Sequence, residues 1–170
     1  RRALDVLGAV DAIVCEDSRV TRKLLTHFSI RATLIAYYEH NAAKVRPELL
    51  RRLAAGQRLA LVTDAGTPLI SDPGYKLVDA ARDAGAKVTA VPGPSAVTAA
   101  LSVAGLPTDR FFFAGFLPPK SARRRAELNE LAAIPAPLVF LESPRRLASA
   151  LADMAAMLGS ERPAAVAREL

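Results

Sequence analysis

The sequence predicts an α/β fold with a mainly parallel sheet, and three observations carry that prediction. Apolar runs of four to six residues alternate with longer stretches of helical periodicity along almost the whole chain. The connections between them are only a few residues long, as βα and αβ loops are. Several loops that follow apolar runs are rich in Gly and Pro, which hold a loop in one shape at low entropic cost.

Residues 4–10 have helical spacing, and residues 12–15 form a short strand that ends at Glu16-Asp17-Ser18-Arg19. Helix over 20–28 and strand over 33–38 follow. A helix over 42–55 is stopped by Gly56 and succeeded by a strand over 59–62. Next come a helix over 75–84, stopped by Gly85, and a strand over 87–91. Ser95 takes the N-cap position of a small-residue helix that runs to Ala104 and ends at Gly105. The turn-rich hexapeptide Gly105-Leu106-Pro107-Thr108-Asp109-Arg110 reads as a domain boundary, dividing the chain into residues 1–106 and 107–170. Beyond it, strands over 111–116, 137–141 and 164–167 alternate with helices over 121–133 and 145–158. Phe111, Phe112 and Phe113 are half of the six phenylalanines, and together they mark a buried strand more than a base-stacking platform.

Composition narrows the function classes. At 51% hydrophobic and 24% charged, the 170 residues can bury a real core. No apolar run approaches the roughly 18 residues that cross a bilayer, and the first residues lack a signal peptide's apolar centre. No membrane role is expected. A lone Cys15 allows neither an internal disulfide nor a cysteine metal cluster, which fits a reducing, cytoplasmic setting. His27 and His40 are too few and too far apart for a metal site. The net charge of +6 favours a polyanionic partner such as nucleic acid, although an arginine-rich composition also arises from codon bias. The chain begins without Met and within a helical pattern, and it reads as a piece of something longer. No phosphate-binding P-loop, dinucleotide glycine fingerprint or serine-hydrolase elbow is present.

What remains is a set of loops at strand ends, where ligands of open α/β sheets collect. Five segments stand in order: Glu16-Asp17-Ser18-Arg19; Asp64-Ala65-Gly66-Thr67-Pro68, continuing through Ile70 to Ser71-Asp72-Pro73-Gly74; Val91-Pro92-Gly93-Pro94-Ser95-Ala96; Gly115-Phe116-Leu117-Pro118; and Glu142-Ser143-Pro144-Arg145-Arg146. Together they resemble the tetrapyrrole methylase superfamily, the class III S-adenosylmethionine-dependent methyltransferases. Within it they are most similar to the ribosomal RNA small subunit methyltransferase I branch. The resemblance implies two α/β domains with S-adenosylmethionine in a cleft between them, usually in a homodimer. It implies 2′-O-methylation of a cytidine in 16S, small-subunit, ribosomal RNA. It also implies that Asp64, Ala65, Gly66, Thr67, Pro68 and Ile70, with Pro92, Ser95 and Ala96, hold the cofactor. Superfamily relatives often have Gly-Asp-Pro where this chain has Thr63-Asp64-Ala65, so the aspartate is the shared element. The family's first strand with its glycine-rich loop, and the remainder of its second domain, have no counterpart in these residues.

Chemistry at the residue level runs beside the resemblance. Asp64 can accept hydrogen bonds from cofactor donors, amides at Gly66 or Ala96 can meet acceptors, and Pro68 and Ile70 offer an apolar wall. Ser95 is open between helix cap and cofactor contact. Methyl transfer to a ribose hydroxyl needs in-line positioning and a proton acceptor. Asp17 with Arg19, and Glu142, are the catalytic candidates, with Arg19 or Arg145 neutralising a phosphate. Glu16 and Asp17 as helix caps, and Arg145 and Arg146 on a solvated first turn, are the competing roles. Tyr37, Tyr38, His40 and Asn41 can stack on or hydrogen-bond a splayed base, or His40 or Asn41 can cap the next helix. Lys120, Arg123, Arg124 and Arg125 crowd a helix start where positive charge opposes the dipole, which points to phosphate contacts over a solvated face. Two rival functions stand beside ribose methylation: a methyltransferase acting on a tetrapyrrole, corrin or diphthamide precursor, and a non-catalytic RNA-binding or ribosome-assembly module.

Overall fold

The computed structural model describes residues 1–169. Two compact units pack separately, residues 1–94 and a second that begins at Ser95. The first contains α1 (Arg2–Ala9), β1 (Ala12–Cys15), α2 (Ser18–His27), β2 (Thr33–Ala36), α3 (Ala42–Ala54), β3 (Leu59–Val62) and α4 (Tyr75–Asp83). Its three strands are parallel in the order β2-β1-β3, with Cys15 level with Ala36 on one side and Val62 on the other. β1 is paired on both edges and covered on both faces, so all four of its residues are buried and apolar.

Side chains alternate across this sheet and create two cores. Val14 joins Tyr37, Leu49 and Leu77 on one face, with Ile35, Leu59 and Leu61 packed against them. Ile13 joins Leu7 and Leu25 on the other, with Leu34, Ala60 and Val62. Thus α3 and α4 supply one layer and α1 and α2 the other.

The second unit contains α5 (Ala96–Val103), β4 (Phe112–Phe116), α6 (Ser121–Leu131), β5 (Leu138–Leu141) and α7 (Leu147–Leu158). β4 and β5 are parallel, with a register shift between Phe113 and Gly115 that bulges Ala114. Gly115 takes φ +71°, a left-handed conformation that suits glycine beside such a bulge. Helices α6 and α7 pack on each other, with Leu128 and Ala150 fully buried.

The α/β class, the parallel pairing and the order of elements match the sequence reading. Two expected strands do not form. Residues 87–91 carry no ladder, with Val88 and Val91 exposed, and residues 164–167 likewise belong to no element. An apolar run becomes a strand only where a neighbour supplies hydrogen-bond partners, and no such neighbour lies beside either run among the described residues. The packing division falls at residues 94 and 95, ahead of the turn at 105–110, so α5 belongs to the second unit. Among the described residues, no helix is long and apolar enough to cross a membrane.

Candidate functional site

Parallel pairing puts the ends of β1, β2 and β3 on one edge of the first sheet, and three of the expected loops follow those ends directly. Beyond β1, Asp17 is the N-cap of α2 and accepts the backbone N–H of Arg19 at 2.8 Å. The Arg19 guanidinium also grips the same carboxylate, with Nη2 to Oδ2 at 2.6 Å and Nε to Oδ1 at 3.0 Å. Hydrogen bonds from the Arg19 side chain and backbone, joined by its charge, hold Asp17 down to a pKa of about 2. So acidic a carboxyl, already gripped by Arg19, is a weak proton acceptor near neutrality. Arg19 is raised in turn, first by its hydrogen bond with Asp17 and by that charge, with Asp64 adding a smaller pull. Burial pushes the Cys15 thiol up, against a hydrogen bond with Thr21 and with help from the charges of Asp64 and Asp17. The loops after β1 and β3 are therefore electrostatic neighbours.

Beyond β2, the backbone N–H of Tyr37 continues the ladder to the carbonyl of Cys15. Its ring is buried and its hydroxyl accepts from Arg46 Nε at 3.4 Å, so Tyr37 cannot stack on a base. Tyr38 and His40 are exposed instead. Asn41 precedes α3 but makes no forward cap. Its Oδ1 accepts from the Tyr38 amide at 2.8 Å and its Nδ2 donates to the Ala36 carbonyl at 2.9 Å. Asn41 thus shapes the loop, and its amide is already engaged.

Beyond β3, Asp64, Ala65, Gly66 and Thr67 form an exposed crest, with Pro68 half-buried and Ile70 52% exposed. Gly66 has φ +73°, and a Cβ added there would meet nothing within 4 Å, so its backbone is open to close approach. Gly74, at φ +133°, closes the loop; a Cβ there would lie 2.9 Å from Leu61 Cδ2. Glycine is required at Gly74 by both backbone and space. Pro92 is exposed in the loop before α5, Ser95 occupies the N-cap of α5 without any side-chain cap bond, and Ala96 is the exposed first residue of that helix. The hydroxyl expected to cap that helix is not used for it.

In the second unit, Glu142 follows β5. Its Oε1 accepts from the Ser143 amide at 2.6 Å and from Arg146 Nε at 2.7 Å. Its Oε2 is buried with no hydrogen-bond partner. Arg146, expected on a solvated turn, is therefore engaged with Glu142, an i,i+4 pair legible in the sequence. Arg145 stays exposed.

The basic cluster divides. Lys120, Arg123 and Arg125 are exposed at the start of α6, where no side chain caps the helix. Arg124 is buried, pairing with Asp153 Oδ2 through Nη2 at 2.6 Å and Nε at 2.8 Å. It also donates to the carbonyls of Pro118, Pro119 and Ser149. Arg124 is thus withdrawn from any surface contact. Burial raises the pKa of Asp153, but hydrogen bonds from Ser121 and Arg124, with the charges of Arg124 and Arg125, leave it net lowered. Sequence reasoning misses Asp153 and Ser121. The available signal is Asp153 itself, the one charge on the otherwise apolar α7.

The sequence profile of the family described as Tetrapyrrole (Corrin/Porphyrin) Methylases matches residues 1–170. The chain belongs to this family. It is 54% identical over 99% of its length to a Mesorhizobium japonicum protein named Ribosomal RNA small subunit methyltransferase I, covering 58% of that relative. It is 52% identical over its full length to the protein of that name from Escherichia coli O157:H7, covering 59% of it. The Synechocystis relative of the same name is 48% identical over 99% of this chain, which covers 61% of it. This family member therefore spans about three-fifths of the curated relatives it matches.

Proposed function

We propose that the full-length protein transfers the methyl group of S-adenosylmethionine to the ribose 2′-hydroxyl of a cytidine in 16S, small-subunit, ribosomal RNA. The observation that carries this reading is the exposed crest at residues 64–70, set at a strand edge beside the Asp17–Arg19 loop. Relatives about half identical throughout share a name that states small-subunit ribosomal RNA methylation, which supports the substrate.

The crest fits such a cofactor. An exposed carboxylate at Asp64, an open backbone at Gly66 and an apolar surface at Pro68 and Ile70 match its amino or hydroxyl donors, its acceptors and its purine. When bound, the cofactor supplies an electrophilic methyl group. The amides of Ala65 and Thr67 lie in the same crest, and Pro92, Ser95 and Ala96 are further candidates for cofactor contact. Arg19, oriented by Asp17, neutralises a phosphate of the RNA. Asp17 and Glu142, each held by a neighbouring arginine, are the candidate carboxylates to take the proton of the ribose hydroxyl. Lys120, Arg123 and Arg125 contact the phosphate backbone, and Tyr38 and His40 hold a splayed base. The protein works in the cytoplasm, as a homodimer.

Incubating full-length protein with labelled cofactor and small ribosomal subunits should place label in 2′-O-methylcytidine. Absence of label there, with label in a corrin or porphyrin acceptor instead, would transfer the reading to tetrapyrrole methylation. Cofactor binding by calorimetry would reject the non-catalytic RNA-binding module, and its absence would favour it.

A further inference from the structure

Residues 63–74 hold a shape that the chain does not favour locally. Four of them sit at left-handed φ: Gly66 at +73°, Leu69 at +73°, Ser71 at +60° and Gly74 at +133°. Two are not glycine, and for them this conformation is strained. Inside the loop, the backbone adds one long hydrogen bond, from the Ile70 amide to the Thr67 carbonyl at 3.2 Å. Across its neck, Thr63 Oγ1 donates to Asp72 Oδ2 at 2.9 Å. Among the described residues this is the only side-chain hydrogen bond that joins the two sides of the loop, and Asp72 makes no ion pair that competes for its carboxylate.

We propose that Thr63 and Asp72 form a latch that holds residues 64–70 in their ligand-facing shape, and so act as positioning residues for cofactor binding. The inference rests on the assignment of that crest to the cofactor. Both partners are half-buried, so water competes weakly for the bond, and its acceptor is a carboxylate, the stronger class. The bond joins positions nine apart in sequence and fixes where β3 releases the chain relative to α4. Asp64, one residue past Thr63, inherits its position from the latch. Without it, the strained Leu69 and Ser71 can relax, and the crest must then be reordered whenever a ligand binds.

The test uses full-length protein. Thr63→Val and Asp72→Ala should each weaken S-adenosylmethionine binding about tenfold by calorimetry, as expected for losing a hydrogen bond to a charged acceptor. The double variant should be no weaker than the worse single one, because both remove the same bond. Thr63→Ser and Asp72→Asn, which keep a donor and an acceptor, should bind within about twofold of wild type. At saturating cofactor, kcat should be unchanged while KM for the cofactor rises. Additive losses, or wild-type affinity in both single variants, would overturn the latch. Amide hydrogen exchange across residues 64–70 without cofactor gives an independent reading, and Thr63→Val should accelerate it. If wild-type protein binds no cofactor, the functional assignment fails, while unchanged exchange in Thr63→Val refutes the latch whatever the ligand.

Discussion

Asp17 and Arg19 form a closed unit: one carboxylate caps α2, accepts a backbone amide and grips a guanidinium two residues away. Because its folded pKa of about 2 lies below the ordinary carboxyl value of 3.8, Asp17 favours the folded state at any pH above that ordinary value. That contribution is lost as pH falls from there through about 2. Replacing Arg19 with Ala should move the Asp17 midpoint up towards 3.8, measured by NMR titration of its side-chain carboxyl. Stability curves of wild type and variant should converge at pH values below about 2. The Asp-x-Arg spacing made this pairing readable in advance, but adjacent tyrosines were not separable that way. Tyr37 enters the core and Tyr38 faces solvent because successive residues of an extended chain point to opposite sides.

Helix α6 shows what periodicity decides within an element. Arg124 lies one helical turn before Leu128, so the two share the inward face, while Arg123 and Arg125 fall outside it and Lys120 stands at the N-cap, ahead of the helix. Arg124→Met leaves Asp153 with Ser121 as its remaining side-chain donor, removes the Arg124 bonds to three carbonyls, and should lower the melting temperature by roughly 10 °C in a calorimetric scan. Lys120→Ala, Arg123→Ala and Arg125→Ala combined should leave that temperature nearly unchanged. They should instead weaken RNA binding, with the slope of log affinity against log salt shallower by about 2. A helical projection of α6 would have separated Arg124 from Arg123 and Arg125. Naming Asp153 as the partner of Arg124 needed the packing of α6 on α7, across 29 positions of sequence.

For the whole molecule, the sheet order β2-β1-β3 makes β1 the strand on which both cores of the first unit rest. Ile13 is fully buried in one of them, and Ile13→Ala should cost roughly 2–5 kcal/mol in chemical denaturation, from lost transfer energy and the cavity left behind. An equivalent truncation at exposed Val88 should change little. The contrast comes from the sheet: Ile13 lies in a strand paired on both edges, and Val88 lies in no strand. Alternating apolar runs, short loops and glycines at turn positions are local properties, and by themselves they determined the α/β class, the element order and the loops at the strand ends. Pairing, burial and side-chain partnership depend on residues distant in sequence. Only the tertiary structure decided that residues 87–91 lack a ladder and that Tyr37 and Arg124 turn inward. The same holds for the bond by which Asp72 closes the crest opened at Thr63, because a strained loop is held by what crosses it.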